Sequence, residues 1–320
     1  MKLGMIMGCE PKSFDEAKEL GLDFVEFDLN NPGYWGPMMD DVLPMKEELK
    51  AASERTGIEV GAIGRWGSQI IAKDGSIDEF ELSEVKKAID LAQYLGAHHY
   101  LMSCNYVPEL TYYQNITSAI NMFKLLVEYG KDRDVTICAV NCQMGHNYIR
   151  TPEQWKLVLD EVPGLMIKYD PSHSFVHGGE RGAYMQEGLD WGDRFGYIHV
   201  KGVIQAGDSQ EVQTWRNFHL MRKYNQMANA IPQETEEGKK FRELLSQLND
   251  EIIGHGFDHR NYDNPPAGLD AIDWRGFMAV LYKYGFDGHL SIEPHSPSWT
   301  GEKGDKGVKY TIKYMRDLMI

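Results

Sequence analysis

The feature that most constrains the fold of this chain is a regular alternation of short apolar runs with amphipathic stretches from one end to the other. Such alternation is typical of repeated βα units that build a parallel sheet. The predicted strands are Leu3–Met7, Phe24–Phe27, Glu59–Ile63, His99–Met102, Thr136–Val140, Met166–Tyr169, Tyr197–Val200 and His289–Ile292. Eight strands with helical patterns between them are arranged most economically as a closed barrel. We therefore predict an α/β fold, a single (β/α)8 TIM barrel over residues 1–320.

One interval breaks this rhythm. Residues 203–264 separate the seventh predicted strand from the last helix–strand unit, and their sequence is polar, charged and partly helical. The loops that follow barrel strands build active sites. We therefore predict a long helical insertion after strand seven that forms a lid over the C-terminal mouth. A helical pair that only decorates the surface, or contacts a second copy of the chain, is the alternative.

Charge and cysteine content narrow the classes of function. The chain has 33 Lys and Arg against 48 Asp and Glu, a formal charge of −15 without a long basic run, so its surface does not suit nucleic acid. The four cysteines form no CxxC pair and are predicted to be reduced thiols. The N-terminal apolar run is too short for a signal peptide, and no stretch approaches the roughly 18 apolar residues of a membrane span. These features predict a cytoplasmic protein without nucleic-acid or membrane partners.

Polar side chains follow the predicted strands at their C-terminal ends, where a barrel residue faces the substrate mouth. Asp170, His199 and Glu293 follow strands six, seven and eight. Two carboxylates and an imidazole suit Mn²⁺ or Mg²⁺ first, with Zn²⁺ or Co²⁺ as alternatives. A single Asp-Pro is usually a turn and a single strand histidine is usually a core residue. Three such residues on consecutive strand ends favour a metal site.

Other strand ends carry candidate substrate-binding residues, namely Glu26, Trp66, Lys201 and His295. Glu26 either binds substrate or orders the barrel floor, and Trp66 either stacks on a sugar ring or packs beneath a loop. His173, in the segment YDPSH, is a candidate acid–base group because imidazole titrates near neutral pH.

These segments together resemble the xylose-isomerase-like TIM barrels, which include sugar-phosphate isomerases, ketose 3-epimerases and inosose dehydratases. The matching pieces are VEFD at strand two, YDPSH at strand six, IHVKG at strand seven, and PAGLDAIDW followed by YGFDGHLSIEPH at strand eight. The resemblance covers nearly the whole chain. It implies a small-molecule carbohydrate as the substrate, with a homo-oligomeric state left open.

The resemblance also implies a set of metal ligands. Epimerase-like members hold the metal with Glu, Asp, His and Glu from strands five to eight, which correspond here to Asn141, Asp170, His199 and Glu293. Strand five departs from the pattern, because its sequence ICAVNCQ has Asn141 or Cys142 at the position of the family's glutamate. A second departure is Gly202, which replaces the aspartate that usually follows His-Val-Lys. Asn141 cannot act as a base, although its carbonyl oxygen can still bind a hard cation.

Three functions follow as hypotheses. The first is a metal-dependent isomerase or epimerase in which Glu293 moves a proton through an enediolate and His173 is the second acid–base group. The second is a lyase or dehydratase on a keto-sugar or keto-cyclitol, which needs only one base and so suits the changed strand five. The third is a sugar-binding relic without catalysis.

Overall fold

The computed structural model describes residues 1–30, 37–142, 147–178, 183–205, 235, 238–240, 262–296 and 298–320. The strands in this part are β1 (Lys2–Met7), β2 (Phe24–Asn30), β3 (Glu59–Trp66), β4 (His99–Met102), β5 (Thr136–Val140), β6 (Met166–Tyr169), β7 (Phe195–Val200), β8 (Ile204–Gln205), β9 (Tyr262–Asp263) and β10 (His289–Ile292). Eight of them form a closed barrel in the order β1-β10-β7-β6-β5-β4-β3-β2, and the paired strands are parallel. The predicted (β/α)8 barrel is confirmed, and each predicted strand is present.

Helices connect the strands on the outside of the barrel. They are α1 (Lys12–Glu19), α2 (Met39–Val42), α3 (Lys46–Thr56), α4 (Glu79–Leu95), α5 (Tyr112–Lys131), α6 (Pro152–Leu159), α7 (Pro171–Gly178), α8 (Ala183–Trp191), α9 (Trp274–Lys283) and α10 (Gly301–Leu318). The sequence pattern predicts a single helix over Asp41–Arg55, where the structure has the two helices α2 and α3. A 3-10 turn at Leu43–Met45 separates those two, because Pro44 cannot donate a backbone hydrogen bond.

The ends of the predicted insertion lie together at the barrel mouth. β8 and β9 pair antiparallel, with Ile204 opposite Asp263 and Gln205 opposite Tyr262. The segment that we predicted to form a helical lid falls between these two strands in the sequence. Apart from residues 235 and 238–240, it lies outside the described residues. The lid therefore stays a prediction.

Two strands run further than the sequence predicted. β2 and β3 remain paired up to Asn30 and Trp66, whereas we predicted that they end at Phe27 and Ile63. Glu26 consequently lies in the middle of β2, inside the barrel, and not past the end of the strand. The pairing register of β2 and β3 shifts between Val25 and Glu26, an irregularity of the kind that re-aims a side chain.

A small apolar cluster fills the barrel below the mouth. Its buried members are Phe24, Ala62, Leu101, Cys138, Val140 and Tyr197. The ring of Phe24 leaves no space for side chains on the neighbouring strands, since a Cβ at Gly4 or Gly61 would lie 2.3 or 2.4 Å from it. The outward faces of the strands pack against the helices in a second, larger cluster. The site at the mouth therefore rests on a densely packed support.

Two histidines lie beside this cluster at the starts of their strands. His99 begins β4 and His289 begins β10, and their ring centroids are 5.3 Å apart. His289 also stacks on Tyr197 and meets Phe24 edge-on. Burial lowers the pKa of His99 to about 4 and that of His289 to about 3. Both imidazoles are therefore neutral at pH 7.

We expect the free energy of unfolding to fall as the pH drops from about 6.5 to about 4, because the unfolded chain binds protons at these histidines and the folded chain does not. The stability is fully present above the unfolded-state pKa of 6.5, and each histidine costs about 1 kcal/mol per pH unit below it. Urea denaturation across this range measures the slope. His289→Phe should flatten the slope, whereas His98→Gln, on an exposed neighbour, should leave it unchanged. An unchanged slope in His289→Phe would contradict the assignment.

Candidate metal centre and active site

Three predicted ligands come together at the C-terminal mouth of the barrel. Asp170, His199 and Glu293 each offer one ligand atom, and these atoms lie within 4.8 Å of one another. They follow or end β6, β7 and β10, which are neighbouring strands in the barrel. Asp170 and His199 are fully buried, and the side chain of Glu293 is 11% exposed. The cluster is thus open to the mouth on one side only.

His199 lies between two carboxylates. Its Nε2 is 2.8 and 3.0 Å from the two oxygens of Glu26, and its Nδ1 is 2.9 Å from Oε2 of Glu293. Burial alone would lower the pKa of His199, but the charge of Glu26 and hydrogen bonds to both carboxylates raise it to about 9. Both ring nitrogens are therefore fixed by neighbours.

Lys201 forms an ion pair with the other oxygen of Glu293. The ammonium donates to Oε1 at 2.6 Å, and the lysine is only 5% exposed. Burial alone would raise the pKa of Glu293, but the charge of Lys201 and the hydrogen bond from His199 hold it well below its usual value. Glu293 is thus ionised, with Oε2 facing His199 and Oε1 facing Lys201.

Asn141 ties strand five to strand six. Its Oδ1 accepts from the backbone N–H of Asp170, and its Nδ2 donates to the Asp170 carbonyl, each at 2.9 Å. These two bonds set the backbone from which the Asp170 side chain extends. Asn141 is not part of the three-residue cluster, and its role as a metal ligand stays a prediction.

His173 lies beside the three-residue cluster at the start of α7. Its Nε2 is 3.5 Å from Oδ2 of Asp170, and the residue is 8% exposed. Burial would lower its pKa, but the charges of Cys142 and Asp170 raise it above the usual value. Cys142 packs against the interior cluster that contains Cys138 and Val140, so its side chain shares their inward face.

The four predicted substrate-binding residues are placed differently from one another. Lys201 and His295 lie at Glu293, with Nδ1 of the exposed His295 3.4 Å from Oε1. Trp66 is partly buried against the interior cluster on the β3 side of the barrel. Glu26 is fully buried beneath His199. The structure therefore brings Lys201 and His295 to the candidate site and places Glu26 behind it.

Sequence reasoning assigned no role to two residues around this site, Lys168 and Asp28. Lys168 in β6 is 1% exposed, and its charge acts on both Glu26 and His199. Burial and the nearby Glu26 raise the pKa of Asp28 to about 6. A lysine inside the apolar run MIKY was the available signal for Lys168. The alternation Cys138, Val140, Cys142 was the signal that Cys142, one of the two strand-five candidates, faces inward.

The residues present fit a divalent cation. Oδ2 of Asp170 is buried without a hydrogen-bond partner among the described residues, although its Oδ1 accepts from the Ser172 N–H at 2.8 Å. The carboxylates around His199 are Glu26, Asp28, Asp170 and Glu293, and the ammonium groups are Lys168 and Lys201. Among the described residues, these carboxylates therefore outnumber the ammonium groups, and a cation bound in place of an imidazole proton of His199 would offset this excess of negative charge.

The structure also explains why glycine follows Lys201. A Cβ at Gly202 would lie 2.0 Å from the backbone oxygen of Pro265 and 3.1 Å from Cβ of Asp270. The Gly202 carbonyl accepts from the Asn264 side chain at 2.9 Å. The segment after the insertion therefore packs directly on the backbone at this position, and an aspartate does not fit there.

Fold and site together define a parallel (β/α)8 barrel with a mixed carboxylate–imidazole cluster at its mouth. The profile of the xylose isomerase-like TIM barrel family matches residues 14–318. The chain belongs to this family. None of the curated proteins matches the sequence significantly.

Solved structures with the same fold cover nearly the whole chain. A D-allulose 3-epimerase from Methylomonas sp. in complex with D-allulose has a TM-score of 0.63 at 15% identity, covering 100% of this chain and 97% of that one. A 3-keto-D-glucoside 4-epimerase from E. coli has a TM-score of 0.61 at 12% identity and 99% coverage of both chains. A family protein from Mycobacterium smegmatis in complex with magnesium has a TM-score of 0.63 at 13% identity, covering 99% and 96%.

The described helices include none that is both long and apolar enough to cross a membrane. None of the four cysteines forms a disulfide bond, as predicted.

Proposed function

We propose that this protein is a metal-dependent isomerase or epimerase that acts on a keto-sugar or sugar derivative through an enediolate. The observation that carries the proposal is the cluster of Asp170, His199 and Glu293, whose ligand atoms lie within 4.8 Å at the barrel mouth. The structural neighbours that are named as sugar epimerases support the same class of substrate. The magnesium complex of another family member supports a divalent cation.

The three clustered residues would hold the cation, with Mn²⁺ or Mg²⁺ favoured by the mostly oxygen donors and Zn²⁺ or Co²⁺ also compatible. When bound, the cation would polarise a substrate carbonyl and a neighbouring hydroxyl. The two oxygens of Glu293 face different partners, His199 and Lys201. With Oε2 assigned to the cation beside His199, Oε1 on the Lys201 side is the oxygen that we assign to accept the proton.

Proton transfer requires a base and a group that returns the proton. Glu293 removes a proton from the carbon next to the carbonyl and leaves an enediolate, whose negative charge the nearby Lys201 ammonium stabilises. His173 is our candidate for the group that protonates carbon again. Return to the adjacent carbon, with transfer of the hydroxyl proton to the former carbonyl oxygen, gives an isomer. Return to the opposite face of the same carbon gives an epimer.

A lyase or dehydratase is the second candidate. Asn141 favours it, because strand five then supplies no carboxylate base and the asparagine amide is occupied by hydrogen bonds to the Asp170 backbone. Removal of water from a keto-sugar or keto-cyclitol requires one base on carbon and one acid on the departing hydroxyl. Glu293 and His173 fill these two roles without a second carboxylate.

Metal analysis and a screen of keto-sugars and keto-cyclitols test the proposal. We expect the purified protein to bind one divalent cation and to exchange a carbon-bound hydrogen of at least one substrate in deuterated water, as measured by NMR. An isomer or epimer as the product supports the first candidate, and a product lighter by one water molecule supports the lyase. Sugar binding without exchange would instead identify a non-catalytic relic.

A further inference from the structure

We propose that Glu26 is a positioning residue that holds the His199 ring with its proton on Nε2, so that Nδ1 is the atom presented to the cation. This assignment rests on the proposed metal-dependent function and deepens it. In this assignment Glu26 contacts His199, not the substrate that the sequence analysis offered as one of its partners.

The contact geometry leaves one nitrogen for each partner. Both oxygens of Glu26 face Nε2, at 2.8 and 3.0 Å, whereas Nδ1 faces Oε2 of Glu293 at 2.9 Å. Glu26 and Glu293 only accept hydrogen bonds when ionised, so without a cation each ring nitrogen donates to the carboxylate that it faces. A cation held by Glu293 and Asp170 lies on the Nδ1 side and takes the place of the Nδ1 proton, whereas Nε2 keeps its proton towards Glu26. Nδ1 is then the nitrogen that can act as a ligand beside Glu293.

The spacing of the ligand atoms agrees with this assignment. Adjacent ligands of an octahedral cation with bonds of 2.0–2.1 Å are about 3.0 Å apart. The 2.9 Å between Nδ1 of His199 and Oε2 of Glu293 matches that separation. The two atoms are therefore close enough to bind the same cation.

The position of Glu26 removes it from the substrate. The residue is fully buried in the middle of β2, and His199, also fully buried, lies between it and Glu293. Lys168, 1% exposed, lies near enough for its charge to favour the ionised form of Glu26. Glu26 therefore acts on the chemistry through the imidazole.

A carboxylate on the far nitrogen of a metal-bound histidine fixes the tautomer and ring orientation, and its loss typically costs about 10–100-fold in metal affinity. Glu26→Gln keeps the size of the side chain but introduces an amide, which can also donate to Nε2 and favour the wrong tautomer. We expect the Kd for Mn²⁺, measured by electron paramagnetic resonance of the free ion, to rise about 10–100-fold. Glu26→Asp keeps an acceptor that cannot donate and should restore part of the affinity.

Asp28→Asn is the matched control for charge. Asp28 lies two residues along the same strand, and no hydrogen bond joins it to His199 in the described part of the chain. This variant loses the same negative charge and should weaken Mn²⁺ binding less than Glu26→Gln does. Equal losses in the two variants would mean that charge alone is responsible and would overturn the positioning role.

A second readout reports the tautomer directly. In protein loaded with diamagnetic Zn²⁺, nitrogen NMR of the His199 ring should show a protonated Nε2 and a metal-shifted Nδ1, and Glu26→Gln should shift or mix these signals. Thermal melting checks that each variant is folded. Wild-type affinity and wild-type ring signals in Glu26→Gln would overturn this inference alone. Failure of wild-type protein to bind either ion would overturn the proposed function as well.

Discussion

Replacing Glu293 by glutamine is expected to slow the exchange of a carbon-bound substrate hydrogen with solvent by about two to four orders of magnitude, the usual contribution of a positioned general base. Glutamine keeps the shape of the side chain and one neutral oxygen, but it cannot accept the proton. In the wild type the charge of Lys201 keeps this carboxylate ionised against the effect of burial. The measurement is deuterium incorporation by NMR, with a keto-sugar that the wild-type protein exchanges.

Glu59→Gln provides the matched control for this substitution. Glu59 is the first residue of β3, at the opposite end of the barrel, where it pairs with Lys2. The Glu59→Gln variant should exchange the carbon-bound substrate hydrogen at the wild-type rate. If Glu293→Gln also exchanges at the wild-type rate, the proton transfer belongs to another group, and His173 is the first to examine.

Replacing Asp170 by asparagine is expected to raise the Kd for divalent metal by more than about 100-fold. Removing a residue that only positions a ligand costs about 10–100-fold, and the loss of a charged ligand itself costs more. The asparagine oxygen can still accept from the Ser172 N–H, which holds Oδ1 at 2.8 Å. Oδ2, which accepts no hydrogen bond within the described residues, is the atom that the variant replaces with an amide nitrogen. Elemental analysis after dialysis and Mn²⁺ titration measure the loss, and circular dichroism checks the fold.

His199→Ala should lose metal as well, but at a cost in stability. The substitution leaves the buried carboxylate of Glu26 without its partner, and breaking a buried ion pair costs about 3–5 kcal/mol. Asp160→Asn, an exposed residue on the outside of the barrel, should retain wild-type metal content. Unchanged metal in both Asp170→Asn and His199→Ala would mean that the ion binds elsewhere.

The barrel could be predicted from the sequence because its strands are fully covered. Strands buried on both faces are almost continuous apolar runs, and this pattern is strong at β4, β5, β6 and β10, whose bounds agree with the prediction. The ends of β2 and β3 were wrong because Asp28 and Trp66 look like loop residues. In the structure Asp28 and Trp66 are strand residues of β2 and β3 at the barrel mouth, where a strand can carry polar side chains.

The candidate ligands could be predicted for a related reason. Asp170 and Glu293 directly follow apolar strands and His199 lies near the end of one, and parallel strand ends meet at one rim. The contacts of Glu26 could not be predicted, because they depend on a register irregularity between Val25 and Glu26 that no residue pattern reveals. The role of Lys168 could not be predicted for a similar reason. The groups on which its charge acts, Glu26 and His199, lie on other strands and come near it only in the folded barrel.

The bonds of Asn141 bear on how such a site could be redesigned or could evolve. A glutamate at this position would lose the paired amide contacts to both backbone groups of Asp170, so Asn141→Glu would disturb an existing ligand while adding a new one. Cys142 is the neighbour whose side chain shares the inward face with Cys138 and Val140. Cys142→Glu is therefore the better route to a second carboxylate at strand five. It retains Asn141, whose hydrogen bonds hold the backbone of Asp170.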